Sequence, residues 1–318
     1  MQTNHGEREL EGPREAALIV NKLARRGSHY RRAAQAALAR AGVQITDVYQ
    51  IERARDLPRV TRAALARNRV LIVGGGDGTV SAIADVLVDT DATLGLLPLG
   101  TGNDFARTLG IPLDLEGACR TIAQGHVQAV NLALLNGNYF VNTALIGFGA
   151  HVNHTVPNWL KRLTGKGAYA LAASFALVRS PSFETAILVD GVRIDLRTTL
   201  VLVGNGIFHS PAKIRLPAGP DDLDRLIVQA PRDGRKSTMF RLALEVGLLG
   251  RPRPDLLMSV SGRDIQIETS PVQEIDIDGE MSGWTPVHAT LVPKGLRVFT
   301  PAPADEMAAG EGPQSTAA

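Results

Sequence analysis

The chain has 318 residues, 44% of them hydrophobic and 21% charged, with a formal net charge of +2. Such a composition describes a globular protein long enough for two cores, and the charge is too small to argue for a nucleic-acid partner. The single cysteine, Cys119, excludes an internal disulfide and a multi-cysteine zinc site, and fits a reducing cytoplasm.

Residues 1–13 are polar and carry no secretory signal. With 301–318 they are rich in Gly, Pro, Ala, Glu and Gln, which predicts disordered tails. From residue 14 to about 130, strands and helices alternate. Ala17–Val20 reads as a strand, Tyr30–Arg40 as a helix, Val43–Val48 as a strand and Val60–Ala66 as a helix. The strand Val70–Val73, the helix Val80–Val88, the strand Leu94–Leu97 and the helix Leu115–Gln124, ended by Gly125, follow. This order predicts a Rossmann-like α/β domain, a parallel sheet covered by helices, with a ligand at the carboxyl ends of the strands.

From 131 to 300 the pattern becomes mainly β. Tyr139–Leu145, Thr185–Leu188, Thr198–Val203, Arg225–Gln229, Asp264–Glu268 and Glu274–Ile277 read as strands, and Asp190-Gly191 as a hairpin turn. Helices are expected near 158–178 and 237–249. The last apolar stretches, His288–Val292 and Leu296–Phe299, leave open whether the chain returns to the first domain. The longest uncharged apolar run, Tyr169–Val178, is about half of the roughly 20 residues a membrane-spanning helix needs. Nothing in the sequence specifies an oligomeric state.

Three motifs carry chemistry. Gly74-Gly75-Gly76-Asp77-Gly78-Thr79 lies between a buried strand and a helix, where glycines let the backbone approach a ligand and the helix N-terminus favours phosphate. Asp77 would repel a bare anion, and it makes sense where a divalent cation such as Mg²⁺ bridges the two. That combination points to nucleoside triphosphate chemistry. Gly100-Thr101-Gly102-Asn103-Asp104-Phe105 follows the next strand; it reads either as a turn that opens a helix or as a second wall of the same pocket, with Thr101 and Asn103 as hydrogen-bonding groups. Asp278-Gly279-Glu280 reads either as a hairpin turn or as the carrier of a general base, Glu280.

Together these motifs resemble the diacylglycerol kinase catalytic family, and within it the bacterial soluble, YegS-like lipid kinases. The likeness runs from about Ala16 to Thr300. It is supported by Tyr139-Phe140-Val141-Asn142, Gly147-Phe148-Gly149, Gly167-Ala168-Tyr169 and Gly204-Asn205-Gly206. The resemblance implies a nucleotide-binding α/β domain, a sandwich-like second domain for the lipid, and a cleft between them. It implies ATP and Mg²⁺ as cofactors, with ATP phosphates held by Gly75, Gly76, Gly78, Thr79 and Thr101, Asp77 positioning the Mg²⁺–nucleotide, and Glu280 acting as base toward a lipid hydroxyl. Asn21 keeps the first residue of the family's Asn-Pro-x-Ser-Gly stretch. The partner implied is a lipid at the membrane surface, reached by a cytoplasmic or peripheral enzyme.

The chain departs from the family pattern at Gln50, at Ala82 (where a Glu is usual, with Ser81 beside it) and at Ser210-Pro211. The family's Asp-Gly-x-Leu region, which holds a structural Mg²⁺, is here Asp221–Leu226. An ungapped match puts Leu223 on the ligand position, and a shift of one residue makes Asp222 the metal ligand. Two rival functions follow: an NAD kinase-like enzyme, which shares the first motif, and a catalytically weak nucleotide-binding regulator. His151 and His154 read as loop residues. The helix 237–249, flanked by Arg235, Lys236, Arg241, Arg251 and Arg253, reads either as core with a solvated rim or as a membrane-docking element.

Overall fold

The structure, a computed structural model, describes residues 15–21, 27–147, 181–205, 224–249 and 254–302. The expected helix at 158–178, His151, His154, Asp222, Arg251 and Arg253 lie outside them, as do most of both expected tails. The chain divides into two compact units. Met1–Gly76, Thr90–Ala129 and Arg297–Ala318 form one, and Asp77–Asp89 with Val130–Leu296 form the other.

In the first unit, β1 (Glu15–Asn21), β2 (Gln44–Ile51), β3 (Val70–Gly75) and β4 (Thr93–Pro98) lie in the order β2-β1-β3-β4, all parallel. β1 and β4 are buried almost throughout, because helices cover a parallel sheet on both faces and leave no room for polar alternation. α1 (Gly27–Arg40), α2 (Leu57–Leu65) and α5 (Leu115–Gln124) supply that cover. The final strand β16 (Val287–Phe299) brings Arg297 and Val298 alongside Thr93 and Leu94 of β4 in parallel, so the end of the chain completes this sheet. That answers the question the apolar pattern left open.

α5 shows how local sequence sets an element. The Asp114 carboxylate accepts from the Gly117 N–H at 2.7 Å as its N-cap, and Gly125, at φ 78°, closes its C-terminus. It packs on β4 so closely that a Cβ on Gly95 would fall 2.9 Å from Ile122. Cys119 is buried there, and burial, helped by the neighbouring Glu116 carboxylate, pushes its thiol up to about 12. The native protein should therefore resist alkylation at about pH 8 and react once unfolded in guanidinium. Equal native and denatured alkylation rates would mean that α5 is not packed as described.

The second unit is a β-sandwich preceded in the chain by one helix, α3 (Asp77–Leu87). One layer is antiparallel, in the order β12-β11-β10-β7-β14-β15. It comprises β7 (Thr143–Gly147), β10 (Leu200–Asn205), β11 (Leu226–Pro231), β12 (Leu257–Gly262), β14 (Glu274–Ile277) and β15 (Glu280–Trp284). The other joins β9 (Val192–Thr198), β8 (Phe183–Val189), β13 (Asp264–Ser270) and Val287–Thr290 of β16. Between them lies a core that includes Phe140, Ile146, Phe183, Val201, Ile265 and Ile275. β5 (Val127–Leu135) and β6 (Asn138–Phe140) form a further hairpin. The other α-helices among the described residues are α4 (Asp104–Thr108) and α6 (Lys236–Leu249).

The structure divides two stretches read as single strands. The segment 139–145 breaks at Val141-Asn142, and 198–203 breaks at Thr199, between β9 and β10. Among the described residues no helix is long and apolar enough to cross a membrane.

Candidate active site

Parallel register places the ends of β1, β3 and β4 side by side. Val20 pairs with Gly74, and Gly75 with Pro98, while Leu99 N–H donates to Gly75 C=O at 2.8 Å. Asn21, Gly75, Gly76 and the turn 100–103 therefore gather at the carboxyl edge of the sheet. Because β2 lies on one side of β1 and β3 on the other, this edge includes the point where the strand order reverses, the usual ligand position in such sheets. Asn21 is buried there and Thr101 is exposed.

The two glycine turns touch each other through their backbones. A Cβ on Gly76 would lie 2.9 Å from the Gly100 Cα, and one on Gly100 would lie 2.6 Å from the Gly76 Cα. Glycine is thus required at both positions by the close approach of the two turns. Asn103, in the left-handed region at φ 51°, fixes the second turn. Its Oδ1 accepts from Gly100 N–H at 2.9 Å and its Nδ2 donates to Gly100 C=O at 3.0 Å, just before α4 begins. The side chain read as a ligand contact is therefore used, at least in part, to hold the turn. Gly100→Ala should lower stability by about 1–3 kcal/mol, since its Cβ meets backbone and the Asn103 amide rather than a yielding side-chain tip. A melting temperature equal to wild type would contradict this packing.

From Gly76 the chain enters the second unit at Asp77, the first residue of α3. Asp77 and Gly78 are half-buried and Thr79 is buried. The first turn of a helix carries partial positive charge, so an anion is favoured near such a position. Against it lies Glu280, exposed at the start of β15. A Cβ on Gly78 would sit 3.6 Å from the Glu280 Oε1, an ordinary contact distance. The third motif, 202 residues after Gly78 by their numbers, thus sets its carboxylate beside the first.

Asp278 explains how that is done. Asp278 and Gly279, at φ 48° and 93°, form the two-residue turn between β14 and β15, with Ile277 opposite Glu280. The Asp278 Oδ2 accepts from Ser81 Oγ of α3 at 2.5 Å and from Val141 N–H at 3.0 Å. Its Oδ1 accepts from Asn142 N–H at 3.1 Å and Thr143 N–H at 2.9 Å. Burial pushes this carboxyl above the usual carboxylate range, and the four hydrogen bonds oppose that push. One side chain therefore ties together α3, the β6–β7 connection and the hairpin that carries Glu280.

The same connection is held from its other side by Asn205. Its N–H donates to Asn142 C=O at 2.9 Å, and its Nδ2 donates to Asn131 C=O at 2.9 Å and Val141 C=O at 3.2 Å. This gives the Val141-Asn142 and Gly204-Asn205 stretches a physical role. Sequence reasoning missed Asp278 and Ser81 as site residues. Asp278 stood in the third motif, but there it read as part of an Asp-Gly hairpin turn, and nothing in the sequence paired it with Ser81.

Among the described residues no group of three or more His, Cys, Asp or Glu side chains could hold a metal by itself. Mg²⁺ does not need such a cage: it is commonly held by one or two carboxylates together with substrate phosphates and water. Asp77, at a helix N-terminus that favours phosphate, fits that mode, with Glu280 near the same turn.

Comparisons with known proteins agree in both units. Residues 15–135 match the diacylglycerol kinase catalytic domain, and residues 142–300 match the YegS C-terminal NAD kinase beta sandwich-like domain. An uncharacterized protein of Synechocystis sp. is 32% identical over 239 residues, which cover 73% of this chain and 54% of that protein. A protein named diacylglycerol kinase from Staphylococcus haemolyticus is 28% identical over 272 residues, covering 83% of this chain and 81% of its own length. A crystal structure of a diacylglycerol kinase from Bacillus anthracis superposes with a TM-score of 0.74 at 25% identity, covering 91% of this chain and 97% of that one.

Proposed function

Since the chain belongs to the diacylglycerol kinase catalytic-domain family, among the YegS-like lipid kinases, we propose that it transfers the γ-phosphoryl group of ATP to a hydroxyl of diacylglycerol or a related lipid. The observation that carries this reading is the Glu280 carboxylate lying against Gly78 in the first turn of α3. That proximity supports a reading in which the turn binds phosphate and Glu280 accepts the proton, as transfer to a hydroxyl requires.

In this reading the Gly74–Thr79 turn offers backbone N–H groups to the triphosphate, and Asp77 holds its metal. Mg²⁺, when bound, neutralises phosphate charge. The lipid oxygen forms the new bond to the γ-phosphorus as the bond to the bridging oxygen breaks, ADP leaves, and the hydroxyl proton passes to Glu280. Such catalysis is mainly positioning and charge stabilisation, so a rigid turn suits it. Asp222, the metal ligand on a one-residue shift of the family pattern, lies outside the described residues and has no part in this reading.

The test is incubation of the purified protein with labelled ATP, Mg²⁺ and a total lipid extract, with NAD in a parallel reaction. A labelled phospholipid that disappears without Mg²⁺ supports the proposal. Label in NADP with none in lipid, or ATP binding without transfer to either, overturns it.

A further inference from the structure

The helix α6 carries two apolar faces, of which the fold uses one. Met239 and Leu242 are buried against Leu256 and Leu257, and the Thr199 hydroxyl donates to the Met239 sulfur at 2.9 Å. On the solvent side, Lys236, Phe240 and Leu244 follow one another at four-residue steps, which places them along one face of the helix. Phe240 is 61% exposed and Leu244 48% exposed, and neither belongs to the buried cluster.

Three exposed cations, Arg235, Lys236 and Arg241, surround this strip, and the acid nearest to it within the helix, Glu245, follows Leu244 and is half-buried. Asp233 just upstream is half-buried, accepts from the Arg235 N–H at 3.0 Å, and is held below the usual carboxylate range by hydrogen bonds from Thr238 and Arg235 in spite of burial. Lys236 stands one turn before Phe240, and Arg241, the next residue, lies about 100° around the helix on the other side of the strip, with Glu245 a turn beyond it. An apolar strip between cations, on a helix already anchored by its opposite face, suits a surface that is anionic outside and hydrocarbon beneath.

We propose that the outer face of α6 is a membrane-docking surface, with Phe240 and Leu244 entering the boundary of an anionic bilayer while Lys236 and Arg241 contact lipid phosphates. The proposal rests on the lipid-kinase reading for its purpose, and its geometry stands apart from the catalytic residues. A second copy of the chain is a poorer occupant, because two-fold pairing through this face would bring like cations together. Nucleic acid is also a poorer one, since the centre of the strip offers phosphates nothing.

The test is flotation of the full chain with vesicles of phosphatidylcholine alone or mixed in equal parts with phosphatidylglycerol. Wild type should float with the mixed vesicles, and added salt should release it. Lys236→Gln with Arg241→Gln should weaken binding about 25-fold, roughly five-fold per basic residue. Phe240→Ser with Leu244→Ser should weaken it about ten-fold or more and leave the melting temperature within about 2 °C of wild type. Both pairs should keep wild-type turnover on a short-chain acceptor dispersed in detergent and lose it on vesicles.

Vesicle binding by wild type that neither pair reduces would overturn the proposal while leaving the kinase reading intact. Dimer dissociation in the serine pair with unchanged flotation would also overturn it, in favour of self-association. Flotation lost in both pairs, from a protein that phosphorylates no lipid, would support the surface and sink the kinase reading instead.

Discussion

Glu280→Gln is expected to cut phosphoryl transfer by about 10²–10⁴-fold, the usual contribution of a positioned general base. The KM for ATP should stay within about three-fold of wild type, because the groups of the Gly74–Thr79 turn that we propose to bind phosphate are untouched. Folding should be unaffected. Glu280 is exposed, and its backbone carbonyl, which accepts from the Ser282 hydroxyl at 2.9 Å, is retained by glutamine. Steady-state kinetics with ATP and lipid varied in turn separate the possibilities. Unchanged kcat with a collapsed ATP affinity would assign Glu280 to nucleotide or metal binding, and the base would have to be sought elsewhere.

Asp278→Asn should damage stability and activity together. An asparagine offers one acceptor oxygen where the carboxylate offers two. Whichever way the amide turns, at least one of the Val141, Asn142 and Thr143 N–H groups meets an NH₂ instead of an acceptor. Orphaning a buried donor costs about 1–3 kcal/mol, which for a domain of this size lowers the melting temperature by about 2–12 °C. Ser81→Ala removes a donor rather than an acceptor, leaves no backbone group stranded, and should cost about 1 kcal/mol. Activity should fall about ten-fold or more in Asp278→Asn, because Glu280 leaves the turn two residues later. The readout is paired: thermal melts of both variants, and kcat measured well below the melting temperature. A fully stable Asp278→Asn would mean that the four bonds are not what holds the turn.

The parts of the fold that the sequence announced are those whose causes are local. Residues 16–20 of β1 are all apolar because both faces of a parallel sheet are covered, so the run is visible without knowing its neighbours. Asp190-Gly191 adopts φ 47° and 87° between Val189 and Val192, as an Asp-Gly pair between apolar runs implies. Asp114 and Gly125 likewise mark the two ends of α5.

What escaped the sequence depends on distant partners. β12 and β15 are half-exposed strands without clean alternation, so pairing rather than pattern defines them. The break at Val141-Asn142 exists because their N–H groups turn to a carboxylate more than 130 residues away. In the site, the residue types of the glycine turns and of Glu280 could be read as chemistry. That Gly76 and Gly100 need each other, and that Asp278 serves α3 as well as its own hairpin, required the third dimension.

The contact between Gly76 and Gly100 has a dynamic corollary. Two loops pressed together with no side chain between them have nothing to fill the gap if one moves alone, which favours their shifting as a pair. If the proposed nucleotide binds there, it would meet a cradle whose shape is already set, and little of its binding energy would be lost to ordering floppy chain. Variants that loosen this seam should leave transfer chemistry possible in principle, yet demand far more nucleotide to saturate it.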